Sequence, residues 1–187
     1  MKQGKLIVIV GPSGVGKGSI LKEVFKQSNN LVYSISATTR SKRTGETDGI
    51  EYFFKTKQEF QEMIKNNEFL EWAQFVDNYY GTPKQYVSKN IELGNNVILE
   101  IEVQGARQIK EQMSSALFIA ILPENIGILF DRLKKRSTES KELIEKRLER
   151  AKQELKEIEE ADFFNAKIIN REGLLEESIQ EILDIIN

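Results

Sequence analysis

The chain contains neither cysteine nor histidine. Those two absences remove disulfides, thiol catalysis, zinc fingers, Ser-His-Asp triads and imidazole bases together. Whatever chemistry the protein performs falls to carboxylates, lysine, arginine, hydroxyls and backbone groups. Proline is scarce, at 3 in 187 residues, and no linker, low-complexity segment or tandem repeat is evident. Long apolar runs are missing too. "LIVIV", near the N-terminus, is too short for a secretory h-region or a membrane span and has no small-residue cleavage site after it. Nor is there an excess of one charge: 27 basic and 29 acidic side chains leave a formal −2. Non-specific affinity for nucleic acid or membrane is therefore not expected, and any anion site must be local. The expectation is a cytoplasmic protein with neither a nucleic-acid nor a membrane partner.

What is present is an ordinary globular composition, 40% hydrophobic and 30% charged, long enough to bury a core as one domain with inserted lobes. Short β-branched runs recur as "LIVIV", "LVYSIS", "NVILEIEV", "ALFIAIL" and "AKIIN". Their unbroken hydrophobicity predicts strands buried on both faces, as in a parallel sheet. Between them "GSILKEVFKQ", "QGARQIKEQM" and "LLEESIQEILDII" have helical spacing, so the class is α/β. Two stretches break the alternation. Residues 36–83 are rich in aromatics and turn signals and predict a small mixed lobe, with Trp72, Phe53, Phe54 and Phe75 as its core filling. Residues 126–158 are heavily charged, and Leu143, Ile144, Leu148, Ala151, Leu155 and Ile158 fall on one predicted helical stripe.

"GPSGVGKGS", from Gly11 through Pro12, Ser13, Gly14, Val15, Gly16, Lys17 and Gly18 to Ser19, fits GxxxxGK between a strand and a helix. That context is the one in which a phosphate-binding loop is credible. Glycines permit positive φ and close backbone approach, helix N–H groups attract the anion, and the lysine reaches the β and γ phosphates of a nucleotide as a point charge. Gly18 stands where Ser or Thr ordinarily contacts Mg²⁺, so the metal is expected to be held mainly by phosphates and water, with Ser19 and Glu100 as candidate protein contacts. Glu100 and Glu102, two apart in "VILEIEV", are expected on the same side of a strand. One could address a water of the metal and the other the substrate.

Two further motifs, "TTRSKRTGETDGIEYF" and "EWAQFVDNYYGT", resemble the guanylate kinase family through TTRxxRxGExxGxxYxF and EWAxFxxNYYGT, and the likeness extends over essentially the whole chain. The resemblance implies a P-loop-type, five-stranded parallel sheet flanked by helices. It implies a core of residues 1–35, 84–125 and 159–187, an inserted mixed α/β GMP-binding lobe at 36–83 and a helical lid at 126–158. It implies ATP-dependent phosphorylation of GMP, and of dGMP, by direct in-line transfer with Mg²⁺. Carried onto matching positions, Arg40, Arg43, Tyr52 and Tyr80 grip the GMP phosphate, with Glu46 orienting the arginines. Ser36, Glu71, Thr82 and Glu102 read the guanine edge, Glu102 standing where the family commonly has Asp. Arg132, Arg136 and Arg147 match the lid arginines that close on the moving phosphoryl group beside Lys17, and Asn170 corresponds to an adenine contact. Guanylate-kinase-like binding domains of scaffolding proteins typically have a degraded loop; here it is intact. Ser36 and Glu71 argue against a kinase of a different acceptor.

Overall fold

A computed structural model describes residues 3–136 and 141–186, with the side chains of Leu133, Lys135, Arg136 and Lys141 outside that description. The strands are β1 (Leu6–Val10), β2 (Leu31–Tyr33), β3 (Ala37–Thr38), β4 (Phe53–Phe54), β5 (Phe69–Phe75), β6 (Asn78–Pro83), β7 (Asn96–Glu100), β8 (Leu117–Pro123) and β9 (Ala166–Asn170). The helices are α1 (Lys17–Gln27), α2 (Lys57–Lys65), α3 (Lys84–Glu92), α4 (Val103–Gln112), α5 (Ile126–Arg136), α6 (Lys141–Glu160) and α7 (Leu175–Ile186). Five strands form a parallel sheet in the order β2-β7-β1-β8-β9, and four form a second, mixed sheet in the order β4-β3-β6-β5. Burial on both faces holds at the centre of the sheet, where every residue of β1 is at most 1% exposed, and fails at its edges: β2 has no buried residue, and β9 alternates, with Ile169 41% exposed, because an edge strand is covered less completely.

By contacts the chain divides into two compact units, one of Met1–Leu6, Asn30–Leu99 and Gln104–Ala116, the other of Ile7–Asn29, Glu100–Val103 and Leu117–Asn187. In the first, the mixed sheet packs on α2 through Ala37, Phe60 and Phe69, with the Phe60 and Phe69 rings stacked 4.4 Å apart. Tyr79, on β6, stacks on Phe60 from the other side at 5.5 Å. α2 starts at a capping box: Thr56 Oγ1 accepts from the Glu59 N–H, and the Glu59 carboxylate accepts from the Thr56 N–H at 2.7 Å. That second bond holds the Glu59 carboxyl below its usual range.

The observed filling of this lobe differs from the predicted one. Phe53 does pack against the core cluster, but Trp72 is 38% and Phe75 54% exposed. Both lie on β5, where the Trp72 ring meets only the edge of the cluster, 6.1 Å from the Tyr79 ring. The core is instead Phe60 and Phe69. In the second unit α1 and α5 pack on α7 and α6 respectively. Ile144, Ala151 and Ile158 of α6 are buried at seven-residue intervals, whereas Leu143 is 43% exposed and falls off the predicted stripe. Two turns of helix bring a residue back to nearly the same face, and Leu143 is a hundred degrees around from Ile144. No helix among the described residues is long and apolar enough to cross a membrane.

Candidate active site

In the second unit the loop between β1 and α1 is shaped by two glycines at positive φ, Gly14 at 85° and Gly16 at 102°. The φ of Gly16 demands glycine, and a Cβ there would also lie 2.8 Å from the Asn170 amide nitrogen, which would have to move. Val15, between them, is fully buried and anchors the loop. Its carbonyl accepts from Asn170 Nδ2 and from Arg132 Nη1, each at 2.7 Å. Two residues singled out in the sequence thus converge on one backbone atom of the loop.

Gly16 caps α1 without a side-chain hydrogen bond, leaving the first-turn N–H groups without a capping side chain, as a helix that receives an anion requires. Lys17 Nζ donates to the Gly11 carbonyl at 2.5 Å and lies 3.7 Å from Glu100 Oε1, with 14% of its side chain exposed. Ser19 is exposed, and a Cβ on Gly18 would meet nothing within 4 Å. The absence of a hydroxyl at position 18 is therefore not forced by crowding.

The expectation for the paired glutamates needs correction. β7 ends at Glu100, so Glu102 is past the strand, and the period-two argument does not reach it. Glu100 faces Lys17, while Glu102 pairs with Arg150 of α6. Arg150 also pairs with Glu154 at 3.2 Å, and Glu154 Oε2 accepts from the Ser13 N–H at 3.0 Å. Sequence reasoning missed Glu154; among the many acids of α6 nothing marks it. Arg147 lies on the exposed side of α6. The Arg136 side chain lies outside the described residues.

The first unit gathers the other set. Arg40 makes a two-pronged pair with Glu46, Nη1 to Oε2 at 3.0 Å and Nη2 to Oε1 at 2.8 Å, both side chains being 16% exposed. Glu46 Oε2 also accepts from the Arg43 N–H at 2.7 Å, so it fixes Arg43 by its main chain. The Arg40 bond first, then that backbone bond, lowers the Glu46 carboxyl to about 2, and the same pair raises the Arg40 guanidinium. The Arg40 guanidinium lies 5.4 Å from the Tyr52 ring, whose edge meets Tyr80 at 6.2 Å. Thr38, fully buried, donates to the Tyr79 carbonyl and accepts from the Arg40 N–H at 3.2 Å. It seats the arginine's backbone, a role its place directly before Thr39-Arg40 could have suggested.

Glu71, on β5, is 8% exposed, and its carboxylate accepts from Thr82 Oγ1 at 2.6 Å. Gly81 next to Thr82 allows that approach, since a Cβ there would be 2.9 Å from the Glu71 carbonyl oxygen. Ser36, half-buried, accepts from the Phe53 N–H through its carbonyl. One unit thus holds an oriented arginine with two phenols, and a buried carboxylate beside a hydroxyl.

The family model described as guanylate kinase matches residues 3–187. Guanylate kinase of Carboxydothermus hydrogenoformans is 49% identical over 91% of this chain and 82% of its own. That of Clostridioides difficile is 47% identical over 100% of this chain and 89% of its own. The crystal structure of guanylate kinase from Anaplasma phagocytophilum aligns with a TM-score of 0.69 at 27% identity, covering 99% of this chain and 86% of that one. Near-half identity that runs the length of the chain, over a glycine loop and a mixed sheet with the geometry above, has one reading: the chain belongs to the guanylate kinase family.

Proposed function

We propose that the residues gathered in these two units carry out the family's reaction, ATP-dependent phosphorylation of GMP to GDP by direct in-line transfer. The observation that supports this most is the pairing, within one unit, of a phosphate grip with a base reader. Arg40, held by Glu46, presents its remaining guanidinium surface to an oxyanion alongside Arg43, Tyr52 and Tyr80. Glu71 and Thr82, with Ser36, recognise guanine, whose N1–H and 2-amino group donate to carboxylates. A phosphorylated purine with a donor edge suits both halves; AMP lacks those donors.

The β and γ phosphates of ATP lie on the N–H groups of Gly14 to Ser19, where Lys17 exchanges its bond to the Gly11 carbonyl for phosphate oxygens. With Asn170 Nδ2 engaged by Val15, its amide oxygen is the group left to accept from the adenine 6-amino group. Arg132, Arg136 and Arg147 neutralise charge on the transferring group. The GMP phosphate oxygen is already a nucleophile, so no strong base is required, in keeping with a chain without histidine.

Guanylate kinases use ATP with a divalent metal, and we propose Mg²⁺. Among the described residues no cluster of three acidic side chains could cage an ion. Glu100 at the loop and the exposed Ser19 hydroxyl offer hard oxygen donors that suit a metal carried in on phosphates and water. When bound, the metal neutralises phosphate charge. A cytoplasmic location belongs to the same reading and rests on the cysteine-free composition. The test is a coupled ADP-release assay with ATP, Mg²⁺ and each nucleoside monophosphate in turn. Turnover with GMP alone is expected; equal use of AMP would overturn the assignment of the base-reading residues.

A further inference from the structure

Among the described residues β5 is the edge strand of the mixed sheet, and one side of its backbone has no neighbouring strand there. Such an edge leaves N–H and C=O groups exposed and the strand able to roll about its axis. Here two glutamine side chains of α4 take the place of the missing strand. The Trp72 N–H donates to Gln108 Oε1 at 3.1 Å, and Gln108 Nε2 donates back to the Trp72 carbonyl at 3.1 Å. Gln112 Nε2 donates to the Leu70 carbonyl at 2.8 Å. A primary amide offers one acceptor and two donors, the same complement a neighbouring strand presents. Residues four apart share a helix face about 6 Å apart, and residues two apart on a strand are separated by about 7 Å, so the two spacings match.

The residue bracketed by these bonds is Glu71. Its other support, the pairing with β6, is irregular at that point, because the register shifts between Phe69 and Glu71. A bulged edge strand is free to re-aim its side chains unless something else fixes it. We infer that Gln108 and Gln112 are positioning residues for Glu71: they clamp the β5 backbone on either side of it, hold its carboxylate at Thr82, and so set the affinity for the guanine base. This rests on the reading of Glu71 as a guanine contact.

The experiment is steady-state kinetics on the full chain with GMP and ATP varied separately, together with amide hydrogen exchange at Trp72. Gln108→Met keeps the length of the side chain and removes both bonds. The KM for GMP is expected to rise about tenfold, which two such bonds at ordinary net strength allow. The KM for ATP and kcat stay within about twofold, and the Trp72 amide exchanges faster. Gln108→Glu, which can still accept from the Trp72 N–H, should fall between wild type and Gln108→Met. If Gln108→Met does not fold, Gln112→Met, losing one bond, carries the test with a rise of about threefold.

Glu71→Gln separates the two readings. If it weakens GMP use and the Gln108→Met/Glu71→Gln double variant is no weaker than Glu71→Gln alone, the clamp acts through Glu71. A GMP constant unchanged in Gln108→Met while Glu71→Gln raises it overturns the clamp, as do additive effects or an equal rise in the ATP constant. No effect of Glu71→Gln overturns the guanine reading itself and the route through Glu71 with it.

Discussion

Lys17→Ala should abolish phosphoryl transfer while sparing the fold. The ammonium sits 2.5 Å from the Gly11 carbonyl and 3.7 Å from Glu100, with 14% of its side chain exposed. Its polar contacts include the Gly11 carbonyl and Glu100, and Glu100, at 37% side-chain exposure, reverts to solvent when its partner is removed. Stability should therefore change by about 1 kcal/mol or less. The effect on the reaction is far larger. A unit positive charge about 4 Å from the transferring phosphoryl group, in a partly screened site, is worth about 4 kcal/mol of Coulomb energy. At 1.36 kcal/mol per decade that is about three orders of magnitude in turnover. Lys17→Met, which keeps the stem, should lose nearly as much, because the charge and not the volume is removed. Single-turnover transfer from ATP to GMP measures the chemical step, and calorimetric titration with ATP separates it from binding. A melting temperature near wild type with turnover down about a thousandfold is expected. Retention of near-normal turnover by either variant would refute the placement of phosphate on this loop.

Arg147→Ala and Arg136→Ala should lower kcat more than they raise the KM for GMP, because charge on the transferring group develops only during transfer; a change confined to the GMP constant would move that residue to the acceptor site. Glu46 is held at about 2 by Arg40 and the Arg43 N–H. Its contribution is complete above the ordinary carboxylate pKa, about 4.5, and is lost as pH falls through about 2, so Glu46→Gln should flatten that part of a stability–pH profile and raise the KM for GMP. Urea melts between pH 2 and 5 check the first effect; an unchanged slope would show that the pair is not formed in solution. Val76 has φ 54° at 73% exposure in the two-residue turn of the β5–β6 hairpin, where a β-branched residue is strained. Val76→Asn should relieve about 1 kcal/mol and raise the melting temperature by about 2–4 °C without altering kinetics, as calorimetry would show; no rise would mean that the turn is unstrained.

The sequence by itself determined what is local. Five apolar runs became the five strands of the parallel sheet, and at its centre, in β1, a strand covered on both faces needs no polar alternation. The glycine loop was legible because positive φ at Gly14 and Gly16 leaves its mark directly in the residues chosen. Arg40 and Glu46 were legible together because both belong to one short motif. Only the tertiary structure decided which distant groups complete these pieces. Arg132 and Asn170 reach Val15 across 117 and 155 residues, Glu154 reaches Ser13 across 141, and Gln108 reaches Trp72 across 36. Side-chain hydrogen bonds to backbone carry no periodicity and accept almost any polar residue that arrives at the right distance, so nothing in the chain advertises them. For the same reason Trp72 and Phe75 read as core: hydrophobicity is a property of the residue, whereas burial depends on how the folded elements cover it, and these two stay 38% and 54% exposed.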